Sequence, residues 1–186
     1  SVTGNRCDKG AGKKKSDVNL PDLYEYKLHR LFDYEPLDET DAPRGSVAIP
    51  RVLNMYEDYP FWFTFFTEMG YRVVLSPMSS KELYEKGMDT ISSDTACYPA
   101  KLVHGHIKTL VEMGEKWIFY PCINYEQIED VDAQNHYNCP IVATYPEVIA
   151  NNMNEIFEEY GVEFTHDFLP YDDDKRLADR LFDLLD

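Results

Sequence analysis

The sequence predicts an α/β domain: a doubly wound, mostly parallel sheet of about five strands, flavodoxin- or Rossmann-like, with helices on both faces. Three observations predict it. Short apolar, β-rich runs recur along the chain, and stretches with helical apolar spacing separate them. Connections of that kind are crossovers, which make neighbouring strands parallel and cover both faces of the sheet. The length of 186 residues suits one such domain and is short for two.

The elements follow in order. LPDLYEYKLHRLF places Leu23, Tyr26, Leu28, Leu31 and Phe32 near helical spacing, and Pro36 ends the stretch. SVAIP (46–50) reads as the first strand. YEDYPFWFTFFTEM (56–69) reads as a helix, aromatic around much of its girth and closed by Gly70. The Phe61–Phe66 aromatics at that spacing are core. YRVVLSP (71–77) is the second strand, and Ser79 with Glu82 forms a capping box for a short helix ending near Gly87.

The second half repeats the rhythm. Residues 98–113 put Leu102, Val103, His106, Ile107, Leu110 and Val111 on one helical face before Gly114. His104 lies two positions from His106 and so points elsewhere, and His106 reads as a packed, hydrogen-bonded core histidine. KWIFYP (116–121) reads as the third strand and PIVAT (140–144) as the fourth. Thr144 and Glu147 then make a second capping box, with Pro146 in the first turn of the next helix. VEFTHDFL (162–169) is the fifth strand, and 175–185 a closing amphipathic helix.

Charge narrows the function. The chain has 18 Lys and Arg against 34 Asp and Glu, a formal net charge of −16. A field of that sign repels phosphate backbones and anionic lipid heads, which argues against nucleic acid and membrane surfaces as partners. No apolar run approaches the ~20 residues that span a bilayer, and the expected location is the cytoplasm. The basic charge concentrates in residues 1–19, where Arg6, Lys9, Lys13, Lys14 and Lys15 face only Asp8 and Asp17. That segment reads as a flexible arm, and 20–186 as a single α/β domain from a larger multidomain protein. Gly12-Lys13 is no phosphate loop, because Cys7 and Lys14 stand where glycine and Ser or Thr are required. The turn after the first strand, IPRVLNMYEDYP, contains no glycine, which disfavours NAD or FAD bound in the Rossmann manner.

Candidate site residues sit at the strand ends. Cys97 precedes a helix and Cys122 follows the third strand. In a parallel α/β sheet a helix start and the end of the next strand reach the same edge, so the two approach despite their separation in sequence. Helix N-termini also favour thiolate. Buried packing cysteines fit the same positions, and no C-x-x-C pair marks a zinc ribbon or ferredoxin-type cluster. Cys139 joins the edge if residues 123–138 stay above the sheet as a polar loop, the reading their Asn, Asp and Gln content favours. Cys7 lies in the basic arm. Arg51, after the first strand, suits either an anionic ligand or a surface ion pair. Lys101, one turn after Cys97, suits either thiolate compensation or a solvated face. No Ser-His-Asp arrangement or close carboxylate pair emerges to support hydrolase chemistry.

GNRCDKG, IPRVLNMYEDYPFWFTFFTEMGYRVVLSP, CYPAKLVHGH, FYPCINYE and HYNCPIVATYPEVIANN together closely resemble a domain of the large acyl-CoA dehydratase activase-related proteins. That domain is similar to the dehydratase component of the 2-hydroxyglutaryl-CoA dehydratase system. The resemblance runs from Cys7 to about Phe168. It implies cytoplasmic anaerobic chemistry, ATP-driven transfer of low-potential electrons, and oxygen-sensitive [4Fe–4S] clusters. Cys97 and Cys122 fall where dehydratase-component relatives place cluster cysteines, and Cys139 and Cys7 sit in family-like motifs. The expected partners are activator (ATPase) and dehydratase-like modules, and this chain carries no ATP site of its own. Two alternatives stand beside the iron–sulfur reading: a non-catalytic interaction or scaffold domain, and a CoA-thioester-binding module.

Overall fold

The computed structural model describes Gly12 and residues 20–185. Cys7 therefore lies outside the described residues, as does the basic arm apart from Gly12. The chain divides between Asp33 and Tyr34 into two units. The first contains α1 (Leu23–Phe32), which starts where the Asp22 carboxylate accepts hydrogen bonds from the Tyr24 and Glu25 amides at 3.0 and 3.1 Å. No α1 residue is buried.

The second unit holds a four-stranded, wholly parallel sheet formed by β1 (Ser46–Ile49), β2 (Arg72–Leu75), β3 (Trp117–Phe119) and β4 (Glu163–Thr165). Their spatial order is β2-β1-β3-β4. The chain winds from β1 to β2 on one side, then crosses back to β3 and β4. This is a doubly wound α/β fold with its switch point between β1 and β3. Register is set by pairs such as Ser46 with Arg72, Ala48 with Ile118 and Phe119 with Thr165.

The expected fourth strand, PIVAT, is not a strand. Residues 140–144 open α5 (Pro140–Asn152), with Pro140 in its first turn and the Thr144 hydroxyl donating to the Pro140 carbonyl at 2.9 Å. A short apolar run fits a buried helix as well as a strand, and here the apolar spacing continues into Tyr145 and Ile149. Thr144 is accordingly helix interior and no cap. The helix breaks at Met153, and α6 (Asn154–Tyr160) follows. The sheet thus has four strands, although a parallel bridge from Cys122 to Phe168 prolongs the β3–β4 ladder.

The other helices are α2 (Met55–Glu68), α3 (Lys81–Gly87), α4 (Tyr98–Glu112) and α7 (Asp174–Leu185). The α3 cap is Ser80, one residue later than expected. Its hydroxyl accepts from the Leu83 amide at 3.1 Å, while Ser79 is engaged elsewhere. Ser80→Ala is expected to cost about 1 kcal/mol of stability, measured by urea unfolding, with Ser79→Ala leaving this cap intact.

Alternation along β3 decides what each sheet face sees. Trp117 and Phe119 meet the aromatic face of α2, with Phe119 4.7 Å from Trp62 and 4.9 Å from Phe66 between ring centroids. Ile118 and Tyr120 point the other way, toward the side carrying α4 and α5. α3 and α4 cross at two glycines. A Cβ on Gly105 would lie 1.9 Å from the Leu83 carbonyl oxygen, and one on Gly87 would lie 2.3 Å from the Gly105 nitrogen. Only hydrogen fits at either position.

Candidate functional site

In a doubly wound sheet ligands meet the carboxyl ends of the strands near the switch point, and the side chains able to do chemistry gather there. Cys97 is the N-cap of α4 and exposed; Cys139 is the N-cap of α5 and exposed; Cys122 follows β3 and is buried. The segment between Cys122 and Cys139 is irregular, closed on itself by the Tyr125–Tyr137 bridge and by an Asn138 amide that donates to the Ile123 carbonyl at 2.9 Å. It delivers Cys139 to the start of α5, so all three cysteines stand at strand or helix ends on the same edge. Neither helix cap makes a side-chain hydrogen bond.

Behind the cysteines lie two phenols. Tyr145 is held by a relay whose direction is determined. The Thr90 hydroxyl donates to the Gly87 carbonyl at 2.9 Å, so toward His104 Nδ1, 2.8 Å away, it accepts. His104 therefore carries its proton on Nδ1, and its Nε2 accepts the Tyr145 hydroxyl at 3.1 Å. Burial pushes the imidazole down to about 4, so it is neutral at neutral pH. Tyr120 has no such relay. It is fully buried, its hydroxyl has no hydrogen-bond partner among the described residues, and burial, then the neighbouring Cys122 and Tyr145, hold its pKa well above the ordinary value. The Cys122 thiol is pushed up to about 11 by burial, although the Glu147 amide donates to its sulfur.

The second histidine serves the neighbouring crevice. His106 Nδ1 is 2.7 Å from Ser76 Oγ and its Nε2 is 2.9 Å from Ser79 Oγ, which makes it the hydrogen-bonded core histidine that the sequence suggests. Ser76 Oγ accepts the Arg51 amide at 2.8 Å, and the Arg51 guanidinium reaches the Ser76 carbonyl and the Met78 sulfur. Arg51, Leu53, Tyr56, Ser79, Pro99 and His106 line a crevice of about 290 Å³. Leu53 holds φ 44°, a left-handed conformation that costs a non-glycine residue of order 1 kcal/mol or more. The Lys101 ammonium donates to the Asp94 carbonyl at 2.7 Å. A larger groove of about 610 Å³ between α2 and α7, lined by Phe61, Phe65, Leu181 and Phe182, is apolar and carries none of this chemistry.

A carboxyl pair that the sequence reading missed lies on the β1 side of the switch point. Asp58 of α2 is buried and hydrogen-bonded to Glu126 of the loop after β3, to Tyr171, and to the Asn54 amide at 3.2 Å. Burial, then the Glu126 charge, push the Asp58 carboxyl up to about 8, and burial raises Glu126 too. Both shifts favour a proton retained within the pair. One signal was available: Asp58 occupies the same helical stripe as Met55, Tyr59 and Trp62, where an acid is out of place.

Among the described residues no group of three His, Cys, Asp or Glu side chains could hold a metal ion. The donor types at the edge are those a soft metal prefers, thiols at two helix N-termini and a third thiol receiving a backbone amide, but the fold does not group three of them to hold one. The comparison with protein families agrees with the motifs that crowd this edge. A family model described as the CoA enzyme activase uncharacterised domain matches residues 46–186.

The chain belongs to the CoA enzyme activase domain family. The match starts at β1 and covers the whole sheet with Cys97, Cys122 and Cys139, so the edge is part of the activase domain proper. No curated protein and no solved structure gives a significant match. Among the described residues no helix of the activase domain is long and apolar enough to cross a membrane.

Proposed function

We propose that this chain is the iron–sulfur-associated domain of an ATP-dependent, low-potential electron-transfer system that serves CoA enzymes. One observation carries the reading: Cys97, Cys122 and Cys139, remote in sequence, come to one edge of the sheet through the starts of α4 and α5 and the end of β3. In this reading Cys97, Cys122 and Cys139 are the chain's candidate ligands to a [4Fe–4S] cluster completed by Cys7 or a neighbouring module. Their sulfurs would have to draw together to bind it, since no three of the described His, Cys, Asp or Glu side chains are grouped to hold a metal. Such a cluster supplies one-electron transfer at low potential.

The chain's own residues supply the setting. Cys97 and Cys139 are the N-caps of α4 and α5 and are exposed, so both are open to a ligand. As a ligand Cys122 would bind as the thiolate, its proton passing to solvent. The partners in this reading are the activator (ATPase) and dehydratase-like modules of the same system.

Anaerobic reconstitution of the full chain with iron and sulfide tests the reading. The expected result is a broad visible charge-transfer absorption with stoichiometric bound iron, lost in the Cys97→Ser, Cys122→Ser double variant. Absence of that absorption in the wild type, or its survival in the double variant, rejects the cluster.

A further inference from the structure

We infer that the crevice at the carboxyl ends of β1 and β2, walled by Arg51, Tyr56 and Ser79, binds a small organic carboxylate with a short alkyl tail. The inference goes beyond the reading just given, because it uses neither the cysteines nor a metal.

The lining sets this crevice apart. In a chain with 34 Asp and Glu, the groove between α2 and α7 includes Asp174, the crevice beside β4 includes Glu158, and the one at the start of β1 includes Glu39 and Glu115. Among the described residues no acid lines the crevice at Arg51. Its polar groups are the guanidinium, the Tyr56 and Ser79 hydroxyls and the His106 imidazole, and Val52, Leu53 and Leu102 give it an apolar wall.

Hydrogen bonds behind the wall fix which way these groups point. Ser76 is fully buried, and its hydroxyl oxygen accepts the Arg51 amide at 2.8 Å, so its proton goes to His106 Nδ1, 2.7 Å away. Burial, then the Arg51 charge, hold the imidazole down to about 4, and it is neutral at neutral pH. Its one proton is therefore on Nε2 and is donated to Ser79 Oγ at 2.9 Å. Ser79 accepts from the imidazole and is left to donate its own proton into the crevice.

The guanidinium is held by the Ser76 carbonyl at 3.3 Å and the Met78 sulfur at 3.1 Å, and burial lowers its pKa from the ordinary value. A partly desolvated cation gains from an anion placed beside it. Guanidinium and hydroxyl both donate here, so the matching group is an anionic acceptor, and a planar carboxylate fits the guanidinium fork. The volume of about 290 Å³ lies at the lower end for ligand pockets and admits only a short tail, which the apolar wall covers. A bare phosphate leaves that wall unused.

Titration of the iron-free full chain with sodium butyrate, followed by amide and imidazole NMR shifts at constant ionic strength, tests the inference. Saturable shifts centred on Arg51, Ser79, Leu102 and His106 are expected, with a dissociation constant on the order of 1 mM for a ligand of so few atoms. 1-Butanol, which keeps the tail without the charge, and inorganic phosphate, which keeps charge without the tail, are each expected to bind at least about 10-fold more weakly. Arg51→Gln is expected to weaken butyrate at least about 10-fold, and Arg51→Lys, which keeps the charge and loses the fork, by less. Ser79→Ala removes an exposed hydroxyl and leaves the Ser80 cap in place. It is expected to weaken butyrate about 3-fold or more with a melting temperature near that of wild type. No saturable shift up to about 50 mM butyrate overturns the inference. Phosphate binding as tightly as butyrate overturns it too, as does undiminished butyrate binding by Arg51→Gln. If Arg51→Gln does not fold, Ser79→Ala decides, and unchanged affinity there overturns the inference. The cysteine reading stands or falls separately, since every arm of the titration is free of iron.

Discussion

Gly105→Ala is expected to destabilise the domain by about 3 kcal/mol or more, a fall in melting temperature of roughly 6–12 °C. A Cβ at this position would lie 1.9 Å from the Leu83 carbonyl oxygen and 2.8 Å from the Leu83 carbonyl carbon. Both atoms are backbone, so no rotamer change relieves the clash and α3 must move off α4. The approach is reciprocal: a Cβ added at Gly87 would lie 2.3 Å from the Gly105 nitrogen and 2.7 Å from the His104 carbonyl carbon. The consequence reaches the site, because His104 and His106 flank Gly105, and their partners Thr90 and Ser79 lie immediately beyond the two ends of α3. Loss of stability should therefore be accompanied by loss of both histidine relays, visible as altered imidazole NMR shifts. Glu112→Ala is the control. It removes only the exposed 2.6 Å ion pair with Lys86 across the same two helices and is expected to change stability by less than about 1 kcal/mol. If Gly105→Ala unfolds within about 1 kcal/mol of wild type, the helix crossing is not the rigid contact described here.

What was legible in the sequence follows from what each signal depends on. β1 and β3 are central strands and largely buried, and β2, although an edge strand, is a short β-branched run closed by Gly70 and Pro77, so the three runs are unambiguous. PIVAT carries the same kind of run, but its last residues continue in register into Tyr145 and Ile149. A five-residue window does not separate that pattern from a strand. The alternation of helices and strands was enough to place Cys97 and Cys122 at strand and helix ends. The placement of Cys139 turned on whether residues 123–138 form a helix, and composition alone pointed to a loop. The Asp58–Glu126 pair was not legible, because its meaning lies in a partner met only through the fold, a loop residue 68 positions away.

Asp58→Asn is expected to raise stability at about pH 8 by roughly 2 kcal/mol relative to about pH 6.5, by removing a slope that wild type shows across that interval. The folded Asp58 carboxyl sits near 8 against an ordinary value of 3.8, so between those limits the folded state binds more protons than the unfolded chain. Stability must then fall as pH rises through the window. Every neighbour contributes in the same sense or only in part against it. Glu126, Glu57 and burial disfavour the Asp58 anion, while the Asn54 amide and Tyr171 hydroxyl favour it. Glu129 adds negative charge on the Glu126 side. The two buried histidines act with the opposite sign. Their folded values near 4, against 6.5 unfolded, mean that the folded state binds fewer protons there, and stability rises with pH up to about 6.5. Below 6.5 two histidines act against one carboxyl proton, so stability rises on balance; above it the carboxyl acts alone. Chemical unfolding of wild type at intervals from about pH 5 to 8 should thus give a rise followed by a decline. In Asp58→Asn, whose amide reproduces the protonated acid toward Glu126, the decline should vanish and the histidine-driven rise below pH 6.5 should steepen. A wild-type curve that is flat or rising from pH 6.5 to 8 would show that Asp58 and Glu126 do not share a proton. The loop leading to Cys139 would then be held to α2 by something other than that hydrogen bond.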